Sequence, residues 1–236
     1  MSNPALNEKT LTKIRDLDDT SRMTVSGTMN RAGLLILLTI FGAAVGWGQQ
    51  SFPLMIGMIL LTLVLCLAII FKPHLSPMLA PMYALAEGVL LGSISAVYAF
   101  QYPGIVTNAL ILTLSIAVLM LALYRFKIIV VTDRVRSVIM GATMAIAVTY
   151  VINMIMGFFG TQIPMIHQTG WVGIGFSVVV VGVAAFNLLL DFDMIERAER
   201  QGSPKFMEWY GGFALLVTLV WLYMEVLRLL GKVQKK

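Results

Sequence analysis

Between residues 33 and 230 the chain is a succession of apolar blocks separated by short polar or proline-containing joints. Each block is about twenty residues long, which at 1.5 Å per residue spans the roughly 30 Å hydrocarbon core of a bilayer as an α-helix. Seven blocks can be drawn, at approximately 33–51, 53–71, 78–100, 105–124, 136–159, 171–192 and 208–230. Pro53, Pro73, Pro77, Pro81, Pro103, Pro164 and Pro204 stand at or near the joints, where helices begin or end. Alternating strand patterns are absent, which argues against an outer-membrane barrel. The joints are short, so consecutive helices are expected to be antiparallel neighbours in one bundle. No internal repeat is visible, and the inverted-repeat architecture of many transporters gains no support.

Composition sharpens this to a polytopic α-helical membrane protein. Hydrophobic residues make up 58% of the 236 and charged residues only 12%, half of the roughly 25% typical of a soluble domain. Residues 1–31 read as a polar arm without the apolar region of a cleavable signal, 32–231 as the membrane domain, and 232–236 as a basic tail. Thirteen Lys and Arg residues lie in the arm and in the second-to-third, fourth-to-fifth and sixth-to-seventh connections. The three intervening connections, GQQS, QYPGIVTN and GTQIPMIHQTG, carry none. The positive-inside rule then places the N-terminus in the cytoplasm. A full seventh crossing would put Lys232, Lys235 and Lys236 outside, so that last crossing is left open. The net charge of +5 needs no nucleic acid, because that bias and attraction to anionic headgroups explain it.

Carboxylates inside the apolar blocks are the candidate chemistry, since an aspartate at the centre of a membrane helix costs at least about 2.5–3.5 kcal/mol. Glu87 lies well inside the third block, before a Gly88–Gly92 pair that lets another helix approach closely. In VAAFNLLLDFDMIERAER, Asp191 closes the apolar run, with Asn187 one turn earlier on the same face. Asp193 is about 200° round the helix from Asp191, so the two form no dyad. Asp193 with Arg197, and Glu196 with Arg200, have the i,i+4 spacing of a charged helix exit. Glu225 has Arg228 three residues on, a spacing that permits a local ion pair, and Glu208 beside Trp209 and Tyr210 reads as a surface acid at the interface.

Other chemistry is thin. His74 and His167 fall in loops on opposite sides and cannot share a metal, and Cys66 reads as a small core residue. Gly170, Gly173 and Gly175 read as close-packing positions. No zincin, P-loop, nucleophile-elbow or dinucleotide motif is present, so neither an enzyme nor a bound cofactor is expected.

With EG in the third block, the D-x-x-x-I ending of the sixth, and EWYGGFALLVTLVWLYMEVLRLL in the last, the chain resembles the Bax inhibitor-like family (the transmembrane BAX inhibitor motif proteins), in its bacterial branch. The resemblance covers essentially the whole length. It implies an all-α bundle of six helices around a central seventh, and a pH-sensitive calcium leak across the cytoplasmic (inner) membrane. It also implies an aspartate on helix six paired with one on helix seven, two carboxylates that share a proton and gate the bundle. Asp191 matches the helix-six aspartate and is the calcium-facing group the resemblance implies. For helix seven, aligning on Leu222 and Tyr223 selects Glu225, while aligning on Arg228 selects Thr218, which leaves no dyad.

The expectation is a cation leak with Asp191 as gate acid, Glu87 or Glu225 along the path, and Asn187, Thr218 and Arg228 in support. Its partners are the lipid bilayer and the transported cation. The rival is a non-transporting regulator that binds membrane proteases or stress-response partners. A proton-coupled transporter with a helix broken at Gly211-Gly212 is a third reading.

Overall fold

The computed structural model describes residues 22–49, 51–160, 163 and 170–235. The chain forms seven long helices: α1 (Val25–Trp47), α2 (Phe52–Phe71), α3 (Ser76–Gln101), α4 (Ile105–Arg125), α5 (Asp133–Phe158), α6 (Trp171–Arg200) and α7 (Met207–Gln234). All seven are long and apolar enough to cross a membrane. A 3-10 turn, Pro73–Leu75, joins α2 to α3 and carries His74; His167 lies outside the described residues.

Helix ends follow local chemistry more than the apolar runs do. Thr24 caps α1, its side chain accepting from the Gly27 amide, so the helix starts eight residues before the apolar block. Thr132 caps α5 in the same way through the Val135 amide. Gly104, at φ +82°, turns the chain into α4 in the left-handed region that glycine tolerates. α6 runs on to Arg200 rather than stopping near 192, because its i,i+4 ion pairs and capped end carry the helix past the apolar block.

α7 is the element around which the others assemble. It packs on α1, α3, α4 and α6, its Phe213 and Leu216 share an apolar cluster with Leu65 and Ile69 of α2, and it bonds to α5 through Tyr150. It is continuous, so the break considered at Gly211-Gly212 does not occur. Those glycines instead admit α1: a Cβ on Gly212 would lie 3.0 Å from the Ala32 nitrogen, and one on Gly211 2.9 Å from Thr28. α1 and α3 are in backbone contact. A Cβ on Gly88 would meet the Thr39 carbonyl at 2.3 Å, one on Gly92 the Ala43 carbonyl at 2.1 Å, and ones on Gly42 and Gly46 the carbonyls of Leu85 and Val89 at 2.4 and 2.1 Å. The Gly88–Gly92 pair thus finds a second small-xxx-small pair, Gly42–Gly46, opposite it.

Gly170 and Gly175 do not serve close packing, as nothing described lies within 4 Å of a Cβ at either. Gly170 is the N-cap of α6.

The basic connections gather at one end of the bundle. There Ser203 accepts from the Met23 amide, Ser76 donates to the Phe206 carbonyl at 3.1 Å, and Arg136 pairs with Asp193. At the opposite end Ser93 donates to the Gly46 and Gln49 carbonyls, and α7 closes onto the start of α6.

Candidate functional site

Asp191 sits about 13 Å from the basic end of α6, and Thr218 about 16 Å into α7 from the same end, so the two meet at one depth. The Thr218 side chain faces the Asp191 carboxyl. One carboxyl oxygen, Oδ2, is buried without a hydrogen-bond partner among the described residues. Buried polar atoms are nearly always paired, and a lone one calls for an explanation. One turn earlier Asn187 donates from Nδ2 to Thr143 Oγ1 of α5 at 2.7 Å and to the Val183 carbonyl at 2.8 Å. Asp191 and Asn187 therefore share a face of α6 but turn toward different neighbours, α7 and α5.

Of the two registers for helix seven, the geometry selects the one through Thr218. Glu225 is far from Asp191 in depth, about 27 Å into α7. It is 2% exposed, and its carboxylate is taken up by Arg228 at 2.9 and 3.0 Å and by the Tyr150 hydroxyl at 2.8 Å. Arg228 also donates to the Tyr150 oxygen at 2.6 Å and lies over its ring. The i,i+3 pair is thus the core of a brace between α7 and α5.

Glu87 is not brought to Asp191 either. It faces Thr62 of α2 and Tyr83 of its own helix, and among the described residues α3 and α6 make no extensive packing contact. The three candidate acids therefore occupy separate environments. Among the described residues no cluster of three or more potential metal-ligating side chains exists.

At the basic end, Asp193 is held by Arg197 at 2.7 Å, as its spacing suggests, and also by Arg136 of α5. Glu196 accepts from Tyr124 of α4 and lies 3.7 Å from Arg200. Glu208 corrects its reading as a surface acid, being only 1% exposed. It accepts from the Thr24 amide at 3.1 Å and the Thr24 hydroxyl at 3.0 Å, and pairs with Lys205 at 2.9 Å. Glu199 accepts from the next amide, Val25, at 2.8 Å. Two carboxylates thus meet the positive end of α1, where unpaired amides and the helix dipole favour negative charge.

Sequence reasoning also passed over Lys232, taken with the tail. It is buried near the end of α7 and donates to the Gly173 carbonyl at 2.9 Å and Ser177 Oγ at 2.8 Å. Its one signal is position: it falls one turn past Arg228 on a helix that does not end at residue 230.

A continuous α7 inside six other apolar helices, with one incompletely bonded aspartate in the bundle, defines a polytopic all-α membrane protein with an intramembrane acid. The chain belongs to the Bax inhibitor 1 like family, whose model matches residues 3–235. Comparison with curated proteins gives no significant match.

Proposed function

We propose that this protein is a non-enzymatic, pH-responsive cation leak of the bacterial cytoplasmic membrane, with calcium as the transported ion, the N-terminus in the cytoplasm and Asp191 as the gate acid. The observation that carries the reading is the Asp191 carboxyl. It lies within a membrane-spanning helix, faces the Thr218 hydroxyl, has one oxygen without a partner, and has no ion-pair partner among the described residues. An ionisable group in such a place is a functional site by default. Gain or loss of one proton changes the charge at the α6–α7 contact, and a bundle with two packings follows whichever form binds that proton better. Carboxylate, hydroxyl and carboxamide oxygens are the ligands a hard cation prefers.

Glu225 does not share this role, since Arg228 and Tyr150 already neutralise and bond it. Glu87, facing Thr62 of α2 and Tyr83 of α3, is at most a flanking group.

Calcium-loaded proteoliposomes test the proposal. Wild-type flux is expected to change between about pH 6 and pH 8, and Asp191→Asn to flatten that response. An unchanged pH profile in Asp191→Asn would remove the gate role. Loss of function on deleting residues 1–25, with acid-to-amide variants intact, would instead favour an interaction protein.

A further inference from the structure

α5 is fastened differently from α1 and α3, whose backbones touch. Its packing neighbour among the described residues is α6, and of its described apolar side chains only Ile139 and Ile146 are buried. What attaches it is a polar stripe. Arg136, Thr143 and Tyr150 recur every seven residues, two helical turns apart, and so lie on one face. Arg136 pairs with Asp193, Thr143 accepts from Asn187 at 2.7 Å, and Tyr150 bonds Glu225 at 2.8 Å and Arg228 at 2.6 Å. The far face, with Val138, Val148 and Ile152, is exposed as a lipid-facing surface should be, and so are Met140, Met144 and Val151 beside the stripe.

Apolar burial does not hold helices together in hydrocarbon, where lipid tails replace side chains without loss. A helix attached chiefly by hydrogen bonds can therefore leave when water takes those bonds over. Water entering here would meet hydroxyl, carboxamide and carboxylate oxygens from the basic end to the opposite end, with Asp191 one turn along from Asn187 on the same helix face.

We infer that the passage gated by Asp191 runs along the α5–α6–α7 seam, and that α5 is its movable wall, parting from α6 and α7 at the Arg136–Thr143–Tyr150 stripe. The passage rests on the reading of Asp191 given above, whereas the parting of α5 can be measured without ion flux.

In a Cys66→Ala background, Thr143→Cys and Met144→Cys are compared in proteoliposomes with a charged, water-soluble methanethiosulfonate. The seam cysteine is expected to react about tenfold faster than its lipid-facing neighbour, because modification needs a hydrated thiolate. Equal or slower reaction would overturn the moving wall. In the second arm, Thr143→Cys/Asn187→Cys is bridged by a short bis-methanethiosulfonate. Calcium flux is expected to fall to the level of empty liposomes, relative to the unbridged double variant, and to return on reduction. Full flux through fully bridged protein would overturn the passage. Fast modification of Thr143→Cys with no calcium flux in any unbridged protein would uphold the moving wall and sink the calcium reading, so the two failures are distinct.

Discussion

Asp191 of α6 faces Thr218 of α7, so one carboxyl meets a hydroxyl where the family resemblance implies a second acid. A single acid titrates in one step, whereas two interacting acids titrate in two macroscopic steps that belong to the pair. Thr218→Asp is therefore expected to add a second inflection to calcium flux against pH in proteoliposomes, and Asp191→Asn/Thr218→Asp to restore a single one. One inflection in Thr218→Asp would show that position 218 does not communicate with the gate.

The Glu225–Arg228–Tyr150 brace calls for a stability experiment. Removing one partner of a buried pair leaves an uncompensated charge, which costs on the order of 3–5 kcal/mol. Replacing both with apolar groups is far milder. Thermal unfolding in detergent should show Arg228→Met as strongly destabilised, and Glu225→Met/Arg228→Met as recovering most of the loss. A double variant as unstable as the sum of both single changes would mean the two side chains act independently.

Much of this molecule is legible in one dimension because hydrocarbon imposes length and polarity rules on each crossing. The seven apolar blocks all became helices, and the i,i+4 pair of Asp193 with Arg197 formed as spaced. What was not legible depends on partners distant in sequence. Glu208 looked like an interface residue because aromatic neighbours mark such positions, yet its bonds go to Thr24, 184 residues away. Lys232 looked like part of a solvated tail because the apolar run ends before it, yet Gly173 and Ser177 supply acceptors. The two registers for helix seven could not be separated until depth and facing were known. By contrast, Gly42–Gly46 was readable as a small-xxx-small pair beside the one at Gly88–Gly92, and only its pairing needed the structure.

That glycine contact should be the least forgiving apolar interface in the bundle. A Cβ at Gly88 or Gly92 would lie within 2.3 Å of a carbonyl oxygen of α1, where only a backbone shift can make room. Gly88→Ala is expected to cost about 1–3 kcal/mol through overpacking. Gly57→Ala on α2, with nothing within 4 Å, should be neutral or stabilising by about 0.5–1 kcal/mol from the helix preference of alanine. Melting temperatures of the two variants in one detergent decide it, and equal values would mean that α1 and α3 are not in backbone contact.

Glu208 fixes the entry of the chain into the bundle. Its carboxylate takes both the Thr24 amide and hydroxyl, and its own room depends on Gly27, where a Cβ would lie 2.0 Å from Oε1. Glu208→Ala leaves those partly buried donors unpaired, a loss of about 1–3 kcal/mol. Glu208→Gln keeps an acceptor but loses the charge that complements Lys205 and the α1 dipole, so it should be intermediate. Because Glu199 still holds the Val25 amide, the damage should stay local to the first turn of α1. Hydrogen exchange is expected to quicken about tenfold or more at Thr24 through Thr28 in Glu208→Ala, with exchange across α5 unchanged. Uniform acceleration over all helices would instead make Glu208 a determinant of the whole fold, and no acceleration at Thr24 would deny the cap.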